Sequence, residues 1–151
     1  MKKQKGFSLI ELLIVVAIIL IIAAIAIPNL IRSKMAANES SAVASLRTIN
    51  TAEVSYANSY PGTYANLSSL GGNCTGSTVA TSSAACLVDN LLAAGTKSGY
   101  TFVVTPSATG YTSTATPQAA NTGTRQFCSD VNLVLYYSLT SSGCAVGTNP
   151  L

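Results

Sequence analysis

Glu11 is a carboxylate at the head of a greasy stretch: every residue from Leu12 to Ile27 is apolar. Insertion scales charge about 2.5 to 3.5 kcal/mol for an unpaired ion at the centre of a membrane helix, and less near an end, so an acid kept there implies a partner. Phe7 lies four residues ahead of it, one helical turn away, and Gly6 precedes Phe7. A cut between Gly6 and Phe7 would create a cationic amine within reach of Glu11 and remove Lys2, Lys3 and Lys5. The amine of the same chain or of a neighbouring copy could then neutralise the acid. The cut would also leave Glu11 in the first helical turn, where the dipole favours an anion by about 0.3 to 1 kcal/mol. The chemistry implied is ion pairing, not turnover.

The rest of the chain offers little to a catalyst. It has no histidine, so a Ser–His or Cys–His nucleophile pair is ruled out. From Tyr60 to Leu151 the charged side chains are Asp89, Lys97, Arg125 and Asp130. Paired-carboxylate chemistry would have to use Asp89 and Asp130, which several predicted elements separate. No enzyme activity is expected. Cys74, Cys86, Cys128 and Cys144 all follow the apolar run, and an even number on an exported side reads as two disulfides. Three pairings are open; pairing of sequence neighbours, Cys74–Cys86 and Cys128–Cys144, is favoured because it closes short loops, each worth about 3 kcal/mol. With no C-x-x-C pair and no histidine, zinc lacks a ligand set. Tyr56, Tyr60 and Tyr64, four apart, could suggest an electron-transfer ladder but read as packing and turn residues. Asn66-Leu67-Ser68 and Asn73-Cys74-Thr75 match a glycosylation pattern, a weak signal.

The elements that must position Glu11 begin with the apolar run itself. From Phe7 to Ile27 it is 21 residues long, about the ~20 that a helix rising ~1.5 Å per residue needs to span a hydrocarbon core. The lysines of Met1-Lys2-Lys3-Gln4-Lys5 hold the amino end on the cytoplasmic side, leaving the rest outside. A secretory signal with Ala24-Ile25-Ala26 as cleavage site is the competing reading, but its apolar region would be long and would contain Glu11. A permanent single-span anchor would leave Glu11 unpaired. Pro28 is expected to kink or loosen the helix without ending it. Beyond it the pattern turns amphipathic: Met35, Ala42, Ile49 and Tyr56 recur every seven residues, joined by Ile31, Val43, Leu46 and Ala52, with Arg32, Ser40, Arg47, Asn50 and Asn58 opposite. The expected layout is a leader over residues 1–6, a helix over 7–58 (7–27 membrane span, 28–58 amphipathic) and an exported head over 59–151.

In the head, Tyr60-Pro61-Gly62-Thr63-Tyr64 marks a turn. A short helical turn is expected over 65–70, and a second helix over 84–94 capped by Ser83, with Leu87, Val88 and Leu91 inward and Cys86 in its first turn. The period then switches to two. Strands are predicted over 100–105, 111–116, 124–128 and 131–139, the last with Val131, Leu133, Leu135, Tyr137 and Leu139 on one face. The fold class expected is α+β, a long helix packed on an antiparallel sheet of about four strands. The formal charge of +3 resides in the three leader lysines, leaving five basic side chains against five acidic ones. With no basic stripe, nucleic acid is not an expected partner.

Lys5-Gly6-Phe7-Ser8-Leu9-Ile10-Glu11-Leu12, followed by an apolar run and Pro28, resembles the leader and amino-terminal helix of type IV pilins and of the pseudopilins of type II secretion, over roughly residues 1 to 60. The resemblance implies cleavage after Gly6 by the membrane-embedded prepilin peptidase, N-methylation of Phe7 and a Glu11 that pairs with an adjacent subunit's amine in a homopolymeric filament. It also implies storage in membrane lipid, handling by assembly machinery in the inner membrane, and a final location as an extracellular pilus or periplasmic pseudopilus. Gly99-Tyr100-x-Phe102 and Arg125-x-Phe127-x-x-Asp130 are similar to the sheet region of short pilins and major pseudopilins. Since major pseudopilins often bind calcium near the carboxyl end, Asp130 is the weak candidate ligand. One carboxylate falls short of the set a hard cation wants, so no cofactor is expected. The pilus subunit is the leading reading, the pseudopilin its alternative, and a membrane-anchored extracellular binding module the more distant one.

Overall fold

One helix, α1 (Leu9–Ser59), carries both the apolar run and the amphipathic stretch. The computed structural model describes residues 7–72, 80–139 and 143–151. Contacts divide the chain into two units, Met1–Lys34 and Met35–Leu151. In the first, α1 continues through Pro28 although a proline there removes an amide donor. Large apolar side chains from Leu9 to Leu30 are between 45% and 74% exposed. This is a surface that water does not tolerate and that lipid or other apolar helices would cover.

The second unit packs the remainder of α1 on a sheet. Ala42, Leu46, Ile49, Ala52 and Tyr56 are buried, as the heptad spacing predicts. The sheet has five strands rather than four, in the order β1 (Thr96–Lys97), β2 (Tyr100–Ser107), β3 (Gly110–Pro117), β4 (Gln126–Asp130) and β5 (Leu135–Ser138), all antiparallel neighbours. The register aligns Phe102, Ala115, Phe127 and Tyr137 in one cross-strand row and Val104, Ser113, Ser129 and Leu135 in the next. Side chains alternate along a strand, so both rows share the inner face, and small residues at their centre leave room for the helix.

Between α1 and the sheet, α2 (Leu67–Leu70) is the short helical turn expected there, capped by Asn66 accepting from the Ser69 amide. The helix predicted over 84–94 shrinks to α3 (Asn90–Ala93), and its cap is Asp89, which accepts from the Leu92 amide at 2.7 Å, not Ser83. The amides of Ala85, Cys86 and Leu87 are spent on the carbonyls of Ser69, Gly71 and Leu70, and Cys86 takes φ +58°, which a first helical turn cannot contain. Val88 and Leu92 face inward, whereas Leu87 and Leu91 are exposed.

The strand predicted over 131–139 is also corrected. The Asp130 carboxylate accepts from the Asn132 amide and side-chain amide, the Leu133 amide returns to the Asp130 carbonyl, and Leu133 sits at φ +64°. That turn breaks the alternation, so Leu135 is buried while Val131, Leu133 and Leu139 are exposed.

Candidate functional site

The amino-terminal site is built by a helix start. Ser8 stands just before α1 and Glu11 is three residues on, the S-x-x-E spacing of a capping box. The Ser8 amide donates to Glu11 Oε2 at 2.9 Å. The carboxylate thus satisfies an amide that would otherwise be orphaned, with acceptor capacity left for a second donor. The S-x-x-E spacing carries this use of Glu11, which the cost of its charge in an apolar run masks. Phe7, 83% exposed, is one turn away. Gly6, and with it the expected cleavage junction, lies outside the described residues.

The head carries a second set of polar groups, held between α1 and the sheet. Glu39 is 6% exposed and receives the Thr124 amide at 2.8 Å, the Thr124 hydroxyl at 3.0 Å, the Arg125 amide at 3.2 Å and Arg125 Nε at 2.8 Å, with Arg125 Nη2 also at 2.8 Å. Burial alone would push its carboxyl up; the Thr124 and Arg125 bonds and the guanidinium charge outweigh it and hold the group below its ordinary 4.5. Arg125 in turn lies over the Phe127 and Tyr137 rings, at 5.5 and 5.8 Å.

Asn50, expected on the polar face, is instead buried: its amide donates to Ser129 Oγ at 2.7 Å and its Oδ1 accepts from the Tyr111 hydroxyl at 3.0 Å. Glu53 is 0% exposed, with Oε2 receiving the Ala65 amide at 3.1 Å. Burial, only partly offset by the Ala65 bond, pushes its carboxyl up to about 7. Glu39, Leu46 and Glu53 recur every seven residues beside the Ala42–Ile49–Tyr56 row. Their spacing therefore placed both acids on the buried stripe; their charge disguised it.

The other candidates resolve as follows. Cys128 and Cys144 form a disulfide, S–S 2.00 Å and Cα–Cα 5.7 Å. Cys86 is disulfide-bonded, while Cys74, its expected partner, lies outside the described residues. Both oxygens of Asp130 accept from Asn132, and among the described residues no three His, Cys, Asp or Glu side chains come together. The tyrosine spacing forms no single ladder: Tyr56 meets Tyr60 at 4.7 Å, whereas Tyr64 turns to Tyr111 at 5.4 Å.

A long helix with an apolar, exposed first part, a carboxylate in its first turn and a small antiparallel sheet on its later part is a pilin-like α+β arrangement. Residues 1–27 match the family model of the prokaryotic N-terminal methylation motif. Over 74 residues, 47% of this chain and 56% of the relative, the chain is 46% identical to the type IV wide pilus major component PilA4 of Thermus thermophilus. Over 54 residues, 36% of this chain and 24% of the relative, it is 50% identical to the type IV major pilin protein PilA of Myxococcus xanthus. The chain thus spans about half the length of the first relative and a quarter of the second. No solved structure matches it.

Proposed function

We propose that this chain is the structural subunit of a type IV pilus, stored in the inner membrane as a precursor, cut after Gly6 and polymerised through the apolar part of α1. The observation that carries the reading is the coincidence of the methylation motif with a helix whose first turn holds Glu11 and whose large apolar side chains beyond it, through Ile31, stay exposed. Prepilin peptidase would remove the leader, and Phe7 would then supply a methylated amine. Glu11 already holds its own Ser8 amide, and its spare acceptor capacity would take the amine of a neighbouring subunit and set the register between copies.

Assembly machinery in the inner membrane would move the subunit from lipid to fibre, where identical helices bury the surface that lipid covered before. Pro28 would serve as a locally loosened turn during that packing. Both relatives bear the names of pilus components, which favours the pilus over the pseudopilus. Mass spectrometry of the mature amino terminus, on fibres sheared from cells, tests the reading. A chain beginning at methylated Phe7 is expected; one retaining Met1 overturns it and supports a membrane-anchored binding module.

A further inference from the structure

Two glutamates sit buried on one face of α1, and their surroundings differ sharply. Glu39 is met by backbone amides, a hydroxyl and a guanidinium, the environment of an anion. Glu53 is the more deeply buried and receives one amide, that of Ala65; its Oε1 has no hydrogen-bond partner among the described residues. We propose that Glu53 makes the head proton-sensitive: its carboxyl is carried uncharged in the packed state, fastening the 60–65 segment to α1, and loss of the proton favours release of that segment.

The groups around Glu53 give an anion no help. From β3 comes Tyr111, whose hydroxyl is committed to Asn50 and is itself pushed up by burial and by the nearby charges of Glu53 and Asp130. From the 60–65 segment comes Tyr64, whose ring lies tilted against that of Tyr111. Asp130, at the end of β4, is a further negative charge acting on the same ring. On α1 itself the neighbouring turn presents Tyr56, whose hydroxyl donates to the Ser82 carbonyl. Neither ion pair among the described residues involves Glu53. A buried carboxylate with one donor and no cation is a high-energy species, and a neutral acid is the state such a pocket selects. What the acid fastens is the chain leaving α1, because Ala65 N–H is the atom it holds.

The sign follows from proton counting. Below the ordinary 4.5 the acid is protonated whether the segment is packed or open, and the packed state keeps its full advantage. Between 4.5 and about 7 the open state has already lost the proton that the packed state retains, so opening becomes easier as pH rises. Above about 7 both states are ionised and the dependence levels off.

The test is hydrogen exchange of residues 60–66 in the intact chain held unassembled in detergent micelles, corrected for intrinsic exchange rates, so its outcome is independent of filament formation. The opening equilibrium is expected to rise by up to roughly tenfold per pH unit between 4.5 and about 7. Glu53→Gln, which imitates the neutral acid, is expected to abolish that slope. A slope that survives in Glu53→Gln overturns the proposal. As a measurement needing no variant, the carboxyl carbon of Glu53 followed by NMR in the unaltered chain should titrate near 7; a midpoint in the ordinary carboxylate range overturns it equally.

Discussion

Glu11 and Glu39 are both acids among apolar neighbours on α1, yet they are stabilised in opposite ways. Glu11 caps its own helix start and has capacity to spare. Glu11→Ala should leave membrane insertion intact and lower fibre yield by on the order of tenfold or more, since an unpaired terminal amine in an apolar bundle costs more than the 1.4 kcal/mol that a factor of ten represents. Surface fibres sheared and weighed against the membrane-bound pool measure this, and normal yield would remove the pairing role. Glu39, by contrast, is fully committed within the head. Glu39→Ala strands the Thr124 and Arg125 amides and should cost about 2 to 4 kcal/mol of stability, read by urea unfolding. Because the folded carboxyl is held below 4.5, its contribution is complete above 4.5 and is lost as pH falls through the lower folded value. Replacement should therefore lower the neutral limb of the unfolding profile by that whole amount without changing its slope, and flatten the acid limb.

At the level of elements, the tail is secured to the sheet by the Cys128–Cys144 disulfide and by bonds that extend β5. The Tyr137 amide donates to the Asn149 carbonyl and the Leu151 amide to the Leu135 carbonyl. Cys128 alternates with Phe127 and Ser129, so it points away from α1 and its loss leaves the inner rows undisturbed. A Cys128→Ser, Cys144→Ser double variant should fold with the same sheet but unfold about 3 kcal/mol more easily, the value for closing a loop of this size; an unchanged urea midpoint would contradict it. Elements with a regular period were legible in the sequence: the long helix and the β2–β3 hairpin follow directly from spacing. What the sequence hid was backbone spent locally. Residues 85–88 look helical until their amides are seen bonded to α2 and its cap, and residues 131–139 alternate like a strand until Asp130 and Asn132 close a turn. Asn50, Glu39 and Glu53 were hidden differently, because a polar side chain on a buried stripe becomes tolerable only through partners 12 to 86 residues away.

For the whole molecule, the division of labour follows the division of surface. Every residue of the hydrophobic core belongs to the unit Met35–Leu151, the first of them being Ala42. Residues 9–30 contribute nothing to that core, and their large apolar side chains are all exposed. Stability of the head and adhesion between copies should therefore be separable by truncation. A chain beginning at Met35 keeps Asn38, Glu39, Asn50 and Glu53 with all their partners, so it is expected to fold, to remain monomeric in aqueous buffer and to form no fibres. The intact chain without detergent should associate, because apolar surface that leaves lipid must be covered by something, and other copies of the same helix are at hand. Sedimentation velocity and electron microscopy on the two chains decide the matter. Fibres from the truncated chain would move adhesion to the head and leave the exposed helix without a role in assembly. A monomeric truncated chain beside an associating intact one would place adhesion in the segment that Glu11 opens.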